Sequence, residues 1–208
     1  MRMGQVGPSA ADIINTIDEK LLARIIALYG EERKARAIAR AIGRVRGDME
    51  ISRTLELADI VSQTIGQPAG LQKIHPATRT FQALRIYVND ELGELVRGLA
   101  AAENMLGDGG RLAVVTFHSL EDRIAKKFLA HRTGRAGRPS RHMPEMPPPA
   151  PSFTELTRKG TKATEDEISH NPRSRSARLR AARRTGAPAF ALDEVLFKAP
   201  ADDSSGVR

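Results

Sequence analysis

Gly109-Gly-Arg-Leu-Ala-Val-Val-Thr-Phe-His-Ser-Leu-Glu-Asp-Arg123 reads as turn, strand, switch and helix. The paired glycines punctuate the chain. Leu112 to Phe117 is a short, almost continuous apolar run, the pattern of a strand buried on both faces of a parallel sheet. Ser119 has the chemistry of an N-cap, and Asp122 completes an [ST]-x-x-[DE] box for a helix continuing from Ile124 to Ala130. His118 then falls just past the carboxyl end of a central strand, the edge at which open α/β sheets bind ligands. An ordinary strand-to-helix joint with polar residues facing water has the same pattern.

Upstream of this stretch the periodicity is helical. Asp12 to Gly30 reads as one helix with Leu21, Leu22, Ile25, Ile26 and Tyr29 on its apolar face, broken at Gly30. Glu31 to Arg44 follows with an Ala35, Ile38, Ala39, Ile42 stripe, and a third helix begins at Ser52 or Thr54. The spacing predicts an all-helical subdomain over 12–70. The tight turns also suit a helix-turn-helix, although no polar, base-reading recognition helix stands out. After a linker over 66–73, Ile74 to Leu106 reads as one long helix. Phe81, Leu84, Val88, Leu92 and Leu95 would pack on the sheet, and Arg79, Gln82, Ile86 and Asn89 form a neighbouring stripe.

Downstream, residues 133–152 are rich in Pro, Gly and Arg and predict a long flexible loop. Phe153-Thr-Glu-Leu-Thr predicts a strand, with Leu179–Arg184 as its pairing partner, and Thr164-Glu-Asp-Glu-Ile opens a short helix with acidic residues in its first turn. Residues 74–186 thus form the α/β part, and 187–208 a disordered tail.

Composition narrows the function. The net charge is +8, and all of it lies between Arg132 and Gly186, which hold 13 Lys/Arg against 5 Asp/Glu. A patch of this kind suits a polyanion, most simply nucleic acid, and otherwise a solubilising segment. Arg173, Arg175, Arg178 and Arg180 are its densest run and are candidate phosphate contacts, which position RNA without reading its sequence. Aromatics make up only 4% of the chain, so stacking on an aromatic platform is not the obvious recognition mode. There is no Cys and the five His are scattered, so no metal is expected. The absence of Cys fits a reducing cytoplasm. No apolar run approaches membrane-spanning length, and the N-terminal residues lack a signal-peptide pattern.

His75-Pro-Ala-Thr-Arg-Thr-Phe-Gln-Ala-Leu-Arg-Ile-Tyr-Val-Asn-Asp-Glu-Leu92 and Thr116-Phe-His-Ser-Leu-Glu-Asp-Arg123 closely resemble two motifs of the RsmH (MraW) family. The likeness extends through Tyr29-Gly-Glu-Glu-Arg33, Ala37-Ile-Ala-Arg-Ala-Ile42 and Asn171-Pro-Arg-Ser-Arg-Ser-Ala177. It implies an S-adenosylmethionine-dependent methyltransferase acting on the exocyclic amine of a cytidine in 16S rRNA of the small ribosomal subunit. It also implies a doubly wound, Rossmann-like α/β domain carrying a helical insert that helps hold RNA. The family's cofactor-binding half, with its Gly-rich loop, precedes the segments matched here. The resemblance therefore places the cofactor site upstream of Met1-Arg-Met-Gly, or across a homodimer, and makes this chain the C-terminal part of such a domain. A non-catalytic RNA-binding module is the competing expectation.

Methylating a cytosine amine is an in-line displacement by a poor nucleophile, so the site must hold an unstacked base and align its nitrogen. On the resemblance, His118, Ser119, Glu121 and Asp122 are the candidate catalytic residues. Arg79, Gln82, Arg85, Asn89 and Arg123 are candidate substrate contacts.

Overall fold

The computed structural model describes residues 1, 3–4, 7–66, 75–135 and 149–191. Most of the predicted 66–73 linker, residues 136–148 of the predicted loop and the tail from 192 onward lie outside them. The chain divides into two compact units, Met1–Glu91 and the described residues from Leu92 onward.

The first unit is helical: α1 (Ala10–Thr16), α2 (Glu19–Gly30), α3 (Ala35–Asp48), α4 (Thr54–Ile65) and α5 (Thr78–Asn89). The single helix expected over 12–30 is two. Asp18 interrupts it, its carboxylate accepting from the Lys20 and Leu21 N–H groups at 2.8 and 3.2 Å, so the orphan donors of α2 are satisfied locally. The apolar stripe of α3 is as expected: Ala35, Ile38, Ala39 and Ile42 are buried with Leu22, Ile26, Leu57 and Val61. Asn15 closes the unit by pairing with the Ile51 backbone, donating to its carbonyl at 3.0 Å and accepting from its N–H at 3.1 Å.

Leu84 is buried in this helical core, with Phe81 packed against it, where the periodicity predicts contact with the sheet. The long helix predicted over 74–106 is also divided. Asp90 takes left-handed φ of 48° after α5, and α6 (Glu91–Met105) starts anew. Gly30 does more than end α2. A Cβ there would stand 2.6 Å from the Arg79 carbonyl oxygen of α5, closer than backbone atoms permit. Gly30→Ala is therefore expected to cost about 1–3 kcal/mol through overpacking, read as a lower midpoint in thermal denaturation. An unchanged midpoint would mean that α2 and α5 do not approach this closely.

The second unit combines α6, β1 (Arg111–Thr116), α7 (Ser119–Arg132), β2 (Phe153–Glu155), β3 (Thr161–Lys162), α8 (Glu165–His170), a 3-10 turn (Pro172–Ser176) and β4 (Arg178–Arg184). It is mixed α/β. Every described strand pairing runs antiparallel and goes through β4, in the order β1-β4-β2, with β3 also on β4. The predicted Leu179–Arg184 partner of the 153 strand is present, with Phe153 opposite Arg184. The expectation of a parallel strand buried on both faces is not met. β1 alternates, with Val115 52% and Phe117 55% exposed, because one face of the sheet lies toward α7 while the other meets solvent. An apolar run conceals such alternation.

Residues 187–191, predicted as disordered tail, are tied down. The Arg184 guanidinium donates to the Ala187 carbonyl at 2.7 Å, and the Phe190 N–H donates to Glu103 at 3.2 Å.

Candidate nucleic-acid interface

β4 explains the fate of the basic run. A strand sends alternate side chains to opposite faces, so Arg180, Ala182 and Arg184 all turn inward. Arg184 is satisfied by the carbonyls of Glu103, Ser152, Thr185 and Ala187. Arg180 makes a two-pronged ion pair with Asp122 of α7, at 2.8 and 3.0 Å. The arrangement of a planar guanidinium on both carboxylate oxygens is strong and directional. Arg180, expected at a phosphate, is only 7% exposed and already engaged.

The start of α7 departs from expectation in the same way. The N-cap is His118, not Ser119, and the capping box uses Glu121, not Asp122. Glu121 accepts from the Phe117 and His118 N–H groups at 2.7 and 3.2 Å, while its own N–H donates to His118 Nδ1 at 3.4 Å. Asp122 is left to face β4. The hydrogen bond from Arg180 holds the Asp122 carboxyl below its ordinary range; burial opposes this, and the charges of Arg180, Arg178 and Lys126 reinforce it. A carboxylate so held is a weak base at neutral pH.

Between α7 and the 3-10 turn lies a cleft of about 410 Å³, lined by Phe117, His118, Ser119, Asp122, Arg123, Lys126, Ser176 and Arg178. That volume lies within the range of small-molecule sites, roughly 300–1,000 Å³, so chemistry and not size decides what fits. Three cations and two hydroxyls outweigh one carboxylate, which already faces Arg180. The cleft suits an anion.

Of the expected site residues, His118, Ser119, Asp122, Arg123 and Arg178 meet at this cleft. Glu121 stands behind it as the His118 partner. Arg173 and Arg175 are exposed on the 3-10 turn. Arg79, Gln82, Arg85 and Asn89 belong to the helical unit and have partners there. Arg79 donates to the Glu31 carbonyl and Gln82 to that of Tyr29, at 3.3 and 3.1 Å. Arg85 pairs with Glu91 at 2.8 Å, and Asn89 accepts from the Met3 N–H at 2.8 Å. Phe117, Lys126 and Ser176 were not anticipated. The helical spacing Asp122, Arg123, Lys126 carries a signal for Lys126; nothing local marks Ser176.

The sequence profile of the MraW methylase family matches residues 1–185. This chain belongs to the MraW methylase family. Among curated members, the ribosomal RNA small subunit methyltransferase H of Parvibaculum lavamentivorans is 64% identical over 193 residues, covering 93% of this chain and 57% of that protein. Its namesakes from Nitrobacter hamburgensis and Caulobacter vibrioides are 58% and 54% identical, with 57% and 61% of their lengths covered. This MraW-family chain thus spans about three-fifths of the length of the relatives it matches. Among the described residues, no helix is long and apolar enough to cross a membrane.

Proposed function

We propose that this chain forms the RNA-facing part of an S-adenosylmethionine-dependent enzyme that methylates the exocyclic amine of a cytidine in 16S rRNA, in the cytoplasm. The observation that carries this reading is the cationic cleft at the carboxyl end of β1 in a member of the MraW methylase family. The names of the relatives, ribosomal RNA small subunit methyltransferases, supply the substrate class.

The cleft does not fit the cofactor. S-adenosylmethionine carries a sulfonium cation, and the lining offers Arg123, Lys126 and Arg178 with no carboxylate beyond Asp122, which Arg180 already binds. Repulsion at this range disfavours a cation. The part of these residues in the reaction is to hold and orient RNA. Ser119 and His118 stand where a base would enter. Glu121 and Asp122 are positioning residues, the first fixing the His118 ring and the second fixing Arg180 of β4. The helical unit, with Arg79, Gln82, Arg85 and Asn89, adds a second RNA-holding surface.

The test joins the 208-residue chain to the preceding part of a curated relative that it does not span, and mixes the product with radiolabelled S-adenosylmethionine and small ribosomal subunits from cells lacking the modification. Nucleoside analysis of the rRNA is expected to find label in N4-methylcytidine. Label in a ribose, in another base or in ribosomal protein would overturn the substrate assignment. Unlabelled rRNA that nonetheless binds the chain tightly would assign these residues to RNA binding without catalysis.

A further inference from the structure

The cleft contains one group that anion binding does not explain. Phe117 follows β1 on its solvent-facing side, and more than half of its side chain meets water. An exposed ring bordered by three cations offers a flat face on which a second ring can stack while nearby charge is neutralised. Of the other described rings in this unit, Phe128 and Phe153 are fully buried and Phe190 is half-buried, so Phe117 is the aromatic that meets solvent most, next to the exposed Val115 of the same face. Lys126 and Arg178 border the same cleft, and among the described residues neither makes an ion pair. Ser119 and Ser176 add a hydroxyl on each side.

An aromatic face, adjacent unpaired cations and flanking hydroxyls are the parts of a single-strand nucleic-acid platform, in which a base stacks while its phosphate is neutralised. We propose that this cleft holds one nucleotide of single-stranded RNA, its base stacked on the Phe117 ring and its phosphate between Lys126 and Arg178. The inference rests on the rRNA reading above and deepens it. It assigns stacking to an aromatic-poor chain through one ring, and it names Lys126 as a phosphate contact. Because every base presents a π face, the cleft grips the strand without reading its sequence. Duplex RNA, with its bases stacked on one another, cannot enter it.

Fluorescence anisotropy with a labelled single-stranded oligocytidylate and the whole chain tests this. Phe117→Leu is expected to weaken binding about tenfold and to leave the salt dependence unchanged. Lys126→Ala and Arg178→Ala are each expected to reduce the slope of log affinity against log salt by about 0.7, the value of one phosphate contact on a single strand. All three residues are solvent-accessible, so thermal midpoints should stay with the parent. A chain that binds RNA with Phe117→Leu at parental affinity, or that binds a duplex of equal length as tightly, overturns the nucleotide site and leaves the rRNA reading intact. A free cytidine monophosphate that displaces the strand at equal concentration would assign the cleft to a mononucleotide and overturn it too. A parent chain that binds no RNA overturns both readings.

Discussion

Glu103→Ala is expected to destabilise the α/β unit by about 3–5 kcal/mol, the cost of leaving one member of a buried ion pair without its partner. Glu103 and Arg132 are both 0% exposed, with Arg132 Nε 3.1 Å from Glu103 Oε2. The second carboxylate oxygen accepts from the Ser152 hydroxyl at 2.5 Å and from the Phe190 N–H at 3.2 Å. One carboxylate therefore joins α6, α7, the approach to β2 and residues 187–191. The Arg132 guanidinium also lies over the Phe128 ring at 4.6 Å, so truncating Glu103 strands a charge among aromatics. Urea denaturation reads the loss. The double variant Glu103→Leu with Arg132→Met should be more stable than Glu103→Ala, since an apolar pair of similar volume removes the unpaired charge without opening a cavity. A single variant within about 1 kcal/mol of the parent would mean that water already reaches the pair. The C-terminal end of α7 is fixed through this network, and the opposite end of that helix carries the cleft.

Asp122→Asn is expected to cost about 2–3 kcal/mol. This is less than a fully buried pair because the Asp122 side chain is 25% exposed, although Arg180 is only 7% exposed. The pH dependence gives the sharper test. The folded protein holds the Asp122 carboxyl below its ordinary value of 3.8, so folding favours the ionised form. The stabilisation is fully present above that ordinary value and is lost as pH falls through the lower, folded value. The stability gap between parent and Asp122→Asn should therefore be flat from about pH 5 to 8 and close only below about pH 4. A gap that closed near neutrality would sink the assignment of Asp122 as an ionised partner of Arg180. The same substitution removes a negative charge beside the cleft, so RNA affinity of the folded variant should not fall. A loss would mean that Asp122 touches the strand itself.

Asp122 and Arg180 also show how far local reading reaches. Both stood out as site residues, one as an acid near a base and one as a phosphate contact. The Leu179–Arg184 strand and its partner at 153 were legible, and strand periodicity puts 180, 182 and 184 on one face. Which face turns inward depends on α7, whose residue 122 lies 58 positions earlier. No window of sequence spans that distance. Phe117 is the converse case, an apolar residue at the end of an apolar run that the sheet leaves in water.

What lay in the residues themselves was the short-range physics. The stripe of α3, a strand at 112–117 (observed one residue earlier, at Arg111–Thr116), the break after Gly30 and the family motifs are each set by spacing within a few turns or by side chains in direct succession. Tertiary packing decided the rest. It chose β4 as the partner of β1, turned Arg180 and Arg184 of the basic run inward, and set Arg132 against Glu103; the caps at Asp18 and His118 are local bonds that the residue pattern does not rank. Caps and periodicities cost or gain about 1 kcal/mol each, so several local solutions compete closely. Burying an arginine is tolerable only where a carboxylate or a set of carbonyls waits for it, and that depends on where distant segments come to rest.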